Sequence, residues 1–202
     1  MQIDPHAGLN LIESGREVPR PHVVAGTRLE VWPEARQSAG HGSTQIARLH
    51  AHLAATYPLV IADFNNCLPD AGGGPAPELL HAWARWVDVW VVPADCSQKA
   101  LVAAAESIEA LTACTRAGAS TPAFVLPLLV NDPGARRDRR HRELVDEFRS
   151  RGIAVVEVPH VPRVGRAAMN RWRLTEVHAG LTRAWVTLLE EAVAAAEERL
   201  PW

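Results

Sequence analysis

The stretch Val87-Asp88-Val89-Trp90-Val91-Val92-Pro93 decides the fold class of this chain. It is apolar at almost every position, so it lacks the alternation of a strand with one wet face, and Pro93 ends it. Ser97 follows as a helix cap, and the apolar spacing after it predicts a helix with one buried face. The residues of that face are Leu101, Ala105, Ile108 and Leu111. A strand buried on both faces and followed by a helix is typical of a βαβ unit with a parallel sheet.

The same pattern extends in both directions along the chain. Further strands are predicted at 29–32, 59–63, 123–130 and 153–158, and helices at 43–55, 78–86, 136–151 and over a last stripe of Val177, Leu181, Trp185, Leu188 and Ala192. Pro127 argues against the strand at 123–130. We expect one α/β domain over residues 1–202, with a mostly parallel sheet flanked by helices on both faces. The strands at 59–63 and 87–92 are expected to lie in that one sheet.

Composition and charge indicate a soluble, cytoplasmic protein. The 202 residues carry a formal net charge of −2, so the chain as a whole is not built to hold nucleic acid or an anionic membrane. The cysteines Cys67, Cys96 and Cys114 show no zinc spacing, and the first residues lack the features of a signal peptide. No apolar run approaches the roughly 18 residues that span a bilayer. The acidic last helix argues against docking on a membrane.

Lys99 is the only lysine in the chain. A P-loop needs a glycine-rich turn that closes on a lysine and a Ser or Thr at a helix start, because the backbone N–H groups and the lysine together hold the phosphates. The first half of the chain therefore contains no P-loop. The glycine-rich stretches 40–44 and 72–75 lack the lysine and are interpreted as ordinary loops.

Five short motifs follow one another along the chain. They are Ile3-Asp4-Pro5-His6-Ala7-Gly8, the segment from Tyr57 to Asp63, the segment from Asp88 to Pro93 with its following helix, the strand from Val125 to Asn131, and Val158-Pro159-His160-Val161-Pro162-Arg163. In this order and spacing they resemble the ParA/MinD family of deviant P-loop ATPases, which position plasmids, chromosomes and other cargo. The resemblance covers nearly the whole chain and implies a P-loop NTPase-like α/β fold.

The resemblance also implies ATP and Mg²⁺ as cofactors and assigns roles to particular residues. Asp63 stands where the family's Walker B aspartate holds Mg²⁺, and Asp4 stands in the switch region near the γ-phosphate as the candidate catalytic residue. The residues that stand near the adenine base are Asn131, Asp132, Pro159 and Arg163. The residues alone also allow another interpretation, because Asp-Pro and Asn-Asp-Pro-Gly are turn sequences and Asp63 fits a solvated strand end.

The chain departs from the family at the phosphate site. The first strand, the P-loop and its helix have no counterpart, which removes roughly 35 to 40 residues by the size of one βαβ unit. His6 replaces a glutamine, and Phe64-Asn65-Asn66 replaces a small Pro-Pro-Gly turn. We therefore expect an N-terminally truncated domain with an incomplete nucleotide site. It is expected to bind ATP weakly or not at all and to show no turnover.

A dense basic run consists of Arg136, Arg137, Arg139, Arg140 and Arg142. Family members that move on chromosomes bind DNA through arginines and lysines without sequence preference, and such phosphate contacts are sensitive to salt. The same run also fits a solvated helix face, which agrees with the overall acidity.

Three functions remain open from the sequence. The preferred one is a ParA/MinD-like protein with an incomplete nucleotide site that binds a partner protein or forms a homodimer. The second is a working partitioning ATPase whose P-loop is encoded upstream of Met1, which translation of the upstream DNA in frame would reveal. The third is a DNA-associated adaptor that uses the arginine run without nucleotide.

Overall fold

The computed structural model describes residues 22–23, 28, 30–31, 43–62, 83–115, 122–130, 139–161 and 179–198. The chain divides into two compact units, Met1–Trp86 and Val87–Trp202. The α/β class with a mostly parallel sheet flanked by helices is confirmed. The extension of one domain over the whole chain stays a prediction.

The described helices and strands are numbered along the chain. The strands are β1 (His22–Val23), β2 (Glu30–Val31), β3 (Val89–Val91), β4 (Ala94–Asp95), β5 (Ala123–Val130) and β6 (Ala154–Pro159). The helices are α1 (Ser43–Thr56), α2 (Gln98–Thr115), α3 (Arg139–Ser150) and α4 (Ala179–Glu197). The predicted strands at 123–130 and 153–158 and the predicted helices after Ser43 and Ser97 are confirmed to within a few residues.

The first unit combines an antiparallel strand pair, β1 with β2, and helix α1. Ile46, Leu49 and Leu53 are buried, which is the face of α1 that the apolar spacing predicts. Just past the end of α1, the Tyr57 hydroxyl donates a hydrogen bond to the Glu30 carboxylate of β2. The strand pair and the helix are therefore joined by a side-chain contact as well as by the chain.

The prediction of a strand at 59–63 is wrong over its described part. Residues 59–62 form no strand, and Leu59, Val60 and Ile61 are 52%, 42% and 78% exposed. This segment therefore does not join β3 in the parallel sheet. An apolar run is stabilised as a strand only when a neighbouring strand pairs with it, and the sequence does not show whether such a partner is present.

The second unit is built on a parallel sheet with β5 at its centre. β6 pairs with one side of β5, from Val125 opposite Ala154 to Val130 opposite Pro159. β3 and β4 both pair with the other side, with Val89 opposite Ala123 and Ala94 opposite Leu128. Because the offset between partners is the same in both cases, β3 and β4 are two halves of one interrupted strand.

Pro127 in β5 explains the interruption. The Val92 N–H donates to the Val125 carbonyl at 2.9 Å, and the next rung would run from the nitrogen of residue 127 to the Val92 carbonyl. Proline has no N–H, so this rung is missing between β3 and β4. The backbone direction alternates along a strand, so the nitrogen of Pro93 faces away from β5. No described strand pairs with that outer side of β3.

Helices cover both faces of this sheet. α4 packs on β5 and β6, where Leu188 contacts Val125 and Val156. Side chains alternate along a strand, so the fully buried Leu126 and Leu128 point to the opposite face. α2 and α3 lie there, in contact with each other, as expected when two successive crossovers have the same right hand.

Trp185 lies differently from its predicted position. The sequence placed it on the inward stripe of the last helix, but the structure leaves it 43% exposed. The inward face of α4 is formed by Leu181, Ala184 and Leu188.

Candidate functional site at the carboxyl edge of the sheet

The carboxyl ends of β4, β5 and β6 lie at one edge of the parallel sheet. Ligands of open α/β sheets bind outside this edge. α2 begins directly after the turn that follows β4, and α3 is the crossover that follows β5. The N-termini of both helices therefore lie at the same edge, which makes it the candidate functional site.

The N-terminus of α2 is closed by side chains of the chain itself. The Ser97 N–H donates to Asp95 Oδ1 at 2.7 Å, and the Ala100 N–H donates to Ser97 Oγ at 3.2 Å. Hydrogen bonds from the Ser97 side chain and from its backbone N–H hold the pKa of the Asp95 carboxyl below its usual range. An ionised carboxylate therefore occupies the place where an anion would approach this helix.

His141 connects α3 to the turn between β4 and α2. Its side chain is only 6% exposed, and its Nδ1 lies 3.2 Å from the Cys96 carbonyl oxygen. A carbonyl only accepts, so this contact is a hydrogen bond when the proton is on Nδ1. The bond fixes the first turn of α3 against the edge of the sheet.

Three arginines occupy the first turn of α3. Arg139 contacts Glu143 at 2.8 Å and Arg140 contacts the same carboxylate at 3.6 Å, and these side chains are largely exposed. Arg142 is exposed as well. Basic side chains are unfavourable at a helix N-terminus because its partial charge is positive. These arginines therefore place more positive charge at the start of α3 than is favourable for the stability of the helix.

The structure brings some of the predicted site residues to this edge. Pro159 is the last residue of β6, and Arg139, Arg140 and Arg142 lie at the start of α3. The other predicted site residues lie outside the described residues; they are Asp4, Asp63, Asn131, Asp132, Arg136, Arg137 and Arg163. Their proposed roles in nucleotide, Mg²⁺ and DNA contact stay predictions.

Two residues of the edge are not identified from the sequence. The first is His141, which lies within the arginine run. It precedes Leu144, Val145 and Phe148 at the spacing of one helix face, and all four are buried. The second such residue is Asp95. Its position two residues before Ser97 is the spacing of an Asx turn that leads into a helix.

The described part of the chain offers no ready place for a metal ion. Within it, no group of three or more His, Cys, Asp or Glu side chains is arranged to hold one. None of the described helices has the length and apolar character that crossing a membrane requires.

The edge carries two helix N-termini of different character: side chains of the chain itself cap that of α2, and arginines surround that of α3. α2 presents its own carboxylate, whereas α3 presents arginines that reach into solvent. Such an arrangement can attract an extended anion or an acidic protein surface to α3, whereas at α2 the Ser97 and Ala100 N–H groups already have acceptors within the chain. No protein-family model matches the chain, and no curated protein matches it.

Proposed function

We propose that this chain is a ParA/MinD-like protein that works by binding a partner protein or a second copy of itself, without ATP turnover. The observation that carries the proposal is the closed N-terminus of α2, at the edge where a nucleotide of an α/β protein would sit. The family assignment is supported by the order of its motifs and by an α/β fold of the expected class.

The physical argument concerns the phosphate groups. A helix start binds phosphate when its N–H groups are free and no negative charge competes. At α2 the Ser97 and Ala100 N–H groups already donate within the chain, and the Asp95 carboxylate repels a second anion. Lys99, the only lysine, is exposed on this helix and follows no glycine loop.

Isothermal titration calorimetry with ATP and Mg²⁺ tests the proposal. We expect no micromolar binding and no phosphate release by the purified chain, with an authentic P-loop ATPase as the positive control. Asp95→Asn is the matched variant, since it removes the charge but keeps an acceptor for Ser97. Micromolar, Mg²⁺-dependent binding by the unaltered chain would overturn the proposal and favour a working ATPase.

A second candidate function is contact with DNA through the start of α3. The observation that favours it is the cluster of Arg139, Arg140 and Arg142 against the helix dipole, with Glu143 as the acidic partner of the first two. Counterion release would make such binding weaken steeply with salt and ignore sequence.

Gel shifts at increasing salt test this second function. The triple variant Arg139→Gln, Arg140→Gln, Arg142→Gln is expected to abolish a salt-dependent shift. The matched control replaces Arg149 and Arg151 at the other end of α3 by Gln and is expected to keep it. Retention of the chain on DNA by the triple variant, or no shift by the unaltered chain at low salt, would rule this function out.

A further inference from the structure

Helix α4 has two apolar faces; one packs on the sheet, and the other is partly exposed. Leu181, Ala184 and Leu188 pack on the sheet. The second face consists of Trp185, Val186, Leu189 and Val193, which are 43%, 49%, 47% and 40% exposed. Their spacing places them side by side along the helix, and we refer to them as the outer stripe. A tryptophan and three aliphatic side chains in one exposed row mark an interaction surface.

Charged residues border the outer stripe in an ordered way. Arg183, Glu190 and Glu197 are seven residues apart and therefore lie along one flank of the stripe. All three are exposed. The basic residue stands near the N-terminal end of α4, and the acidic residues stand in the middle and at the C-terminal end, where Glu198 adds a further negative charge. The flank thus changes sign from one end of the helix to the other.

We propose that the outer stripe binds the outer stripe of a second copy of this chain, with the two α4 helices antiparallel. This inference rests on the proposed function only in taking self-association as the mode of binding. A two-fold axis near Leu189 places Trp185 against the partner's Val193 and brings Leu189 next to its own copy. Both apolar stripes are then removed from water.

Charge selects the antiparallel arrangement. It brings the Arg183 end of each helix towards the acidic C-terminal end of the other, where Glu197 and Glu198 lie. In a parallel two-fold pair the charged flanks lie on opposite sides of the contact, so Arg183 of one helix does not meet Glu197 of the other. The 19 residues of α4 span about 28 Å. One helix on each side covers less than the roughly 800 Å² per partner of a standard interface, so the dimer is weak and reversible.

Analytical ultracentrifugation of the full chain over a wide concentration range tests the surface. The unaltered chain is expected to shift from monomer to dimer, and Leu189→Glu is expected to weaken the dimer by about tenfold or more. Val102→Glu is the matched control, because Val102 is 40% exposed on α2, away from the stripe. Circular dichroism checks that both variants keep the fold. An unaltered chain that stays monomeric, or a Leu189→Glu variant that dimerises normally, overturns the inference.

Cysteine cross-linking tests the orientation. In the antiparallel pair, Leu189→Cys links to itself, Trp185→Cys links to Val193→Cys in a mixture, and Trp185→Cys alone does not link above the background of the unaltered chain. Self-linking of Trp185→Cys would indicate a parallel pair and overturn the antiparallel arrangement. Arg183→Glu is expected to weaken the dimer, and the double variant Arg183→Glu, Glu197→Arg to restore it.

These outcomes are separate from those of the proposed function. If the chain is monomeric and also fails to bind ATP, only the α4 dimer is contradicted, and binding to another protein remains possible. If the chain dimerises and binds ATP in the micromolar range, the proposed function is contradicted and the α4 contact is not.

Discussion

His141 is a polar side chain in an apolar layer. It shares its helix face with Leu144, Val145 and Phe148 and donates to the Cys96 carbonyl. The apolar spacing of the sequence contains this position, so its burial was predictable. Its partner was not, because Cys96 lies 45 residues away along the chain and only the fold brings the two together.

We expect His141→Ala to lower the free energy of unfolding by about 1 to 3 kcal/mol, since it leaves a cavity and a carbonyl without its donor. Urea unfolding followed by circular dichroism measures the change. Arg142→Ala, the exposed neighbour on the same helix, is the control and should change stability by less than about 0.5 kcal/mol. Equal effects of the two substitutions would contradict the buried position of His141.

Asp95 makes stability depend on pH. Its pKa is lowered in the folded chain, so the ionised carboxylate stabilises the fold above the ordinary aspartate pKa of about 4, and this stabilisation disappears as the pH falls through the folded-state pKa. We expect Asp95→Asn to be less stable by about 1 kcal/mol at neutral pH and to approach the unaltered chain below pH about 4. Urea midpoints at several pH values measure this difference. Asp146→Asn, on the exposed face of α3, is the control that also removes one carboxylate charge.

At the scale of elements, local patterns were sufficient where the apolar character is continuous or where one residue ends the element. The strand Ala123–Val130 was predicted with its observed bounds in spite of Pro127, because its apolar character is continuous. The end of α3 was predicted from Gly152, which has a φ of 74°, a conformation that suits glycine. The interruption between β3 and β4 was not predicted, since it depends on the register that sets Pro127 opposite the break.

Replacing Pro127 tests the account of that interruption. In Pro127→Val, the new N–H is expected to donate to the Val92 carbonyl and join β3 and β4 into one ladder. Hydrogen exchange should then show strong protection of the amide at position 127. Pro93→Val provides the contrast, because its new amide faces away from β5 and should exchange quickly. Rapid exchange at position 127 in the folded variant would show that another cause separates the two strands.

At the scale of the whole molecule, the sequence established the α/β class but not how the chain is divided. The fold class follows from the length of the apolar runs and from the helices between them, which are local properties. The exposure of Leu59, Val60 and Ile61 depends on which segments lie beside them, which no local pattern records. The candidate site shows the same division: Pro159 and the α3 arginines were identified from a motif and a basic run, whereas the contact of His141 with Cys96, 45 residues away, is made only by folding.

Pro93, at the outer side of β3, also affects how the protein behaves in concentrated solution. An edge strand can template the growth of a sheet through many molecules, and each added strand needs donors from the edge in turn. Pro93 is exposed, and its nitrogen faces that edge but carries no hydrogen. It therefore cannot donate to an added strand and stops such growth. We expect Pro93→Val to aggregate faster than the unaltered chain in light-scattering measurements, while Pro58→Val, an exposed proline of the first unit, does not. If both variants aggregate alike, the edge is not the point of growth. If only Pro93→Val aggregates faster, the proline ring at position 93, which removes one backbone N–H, keeps this protein dispersed.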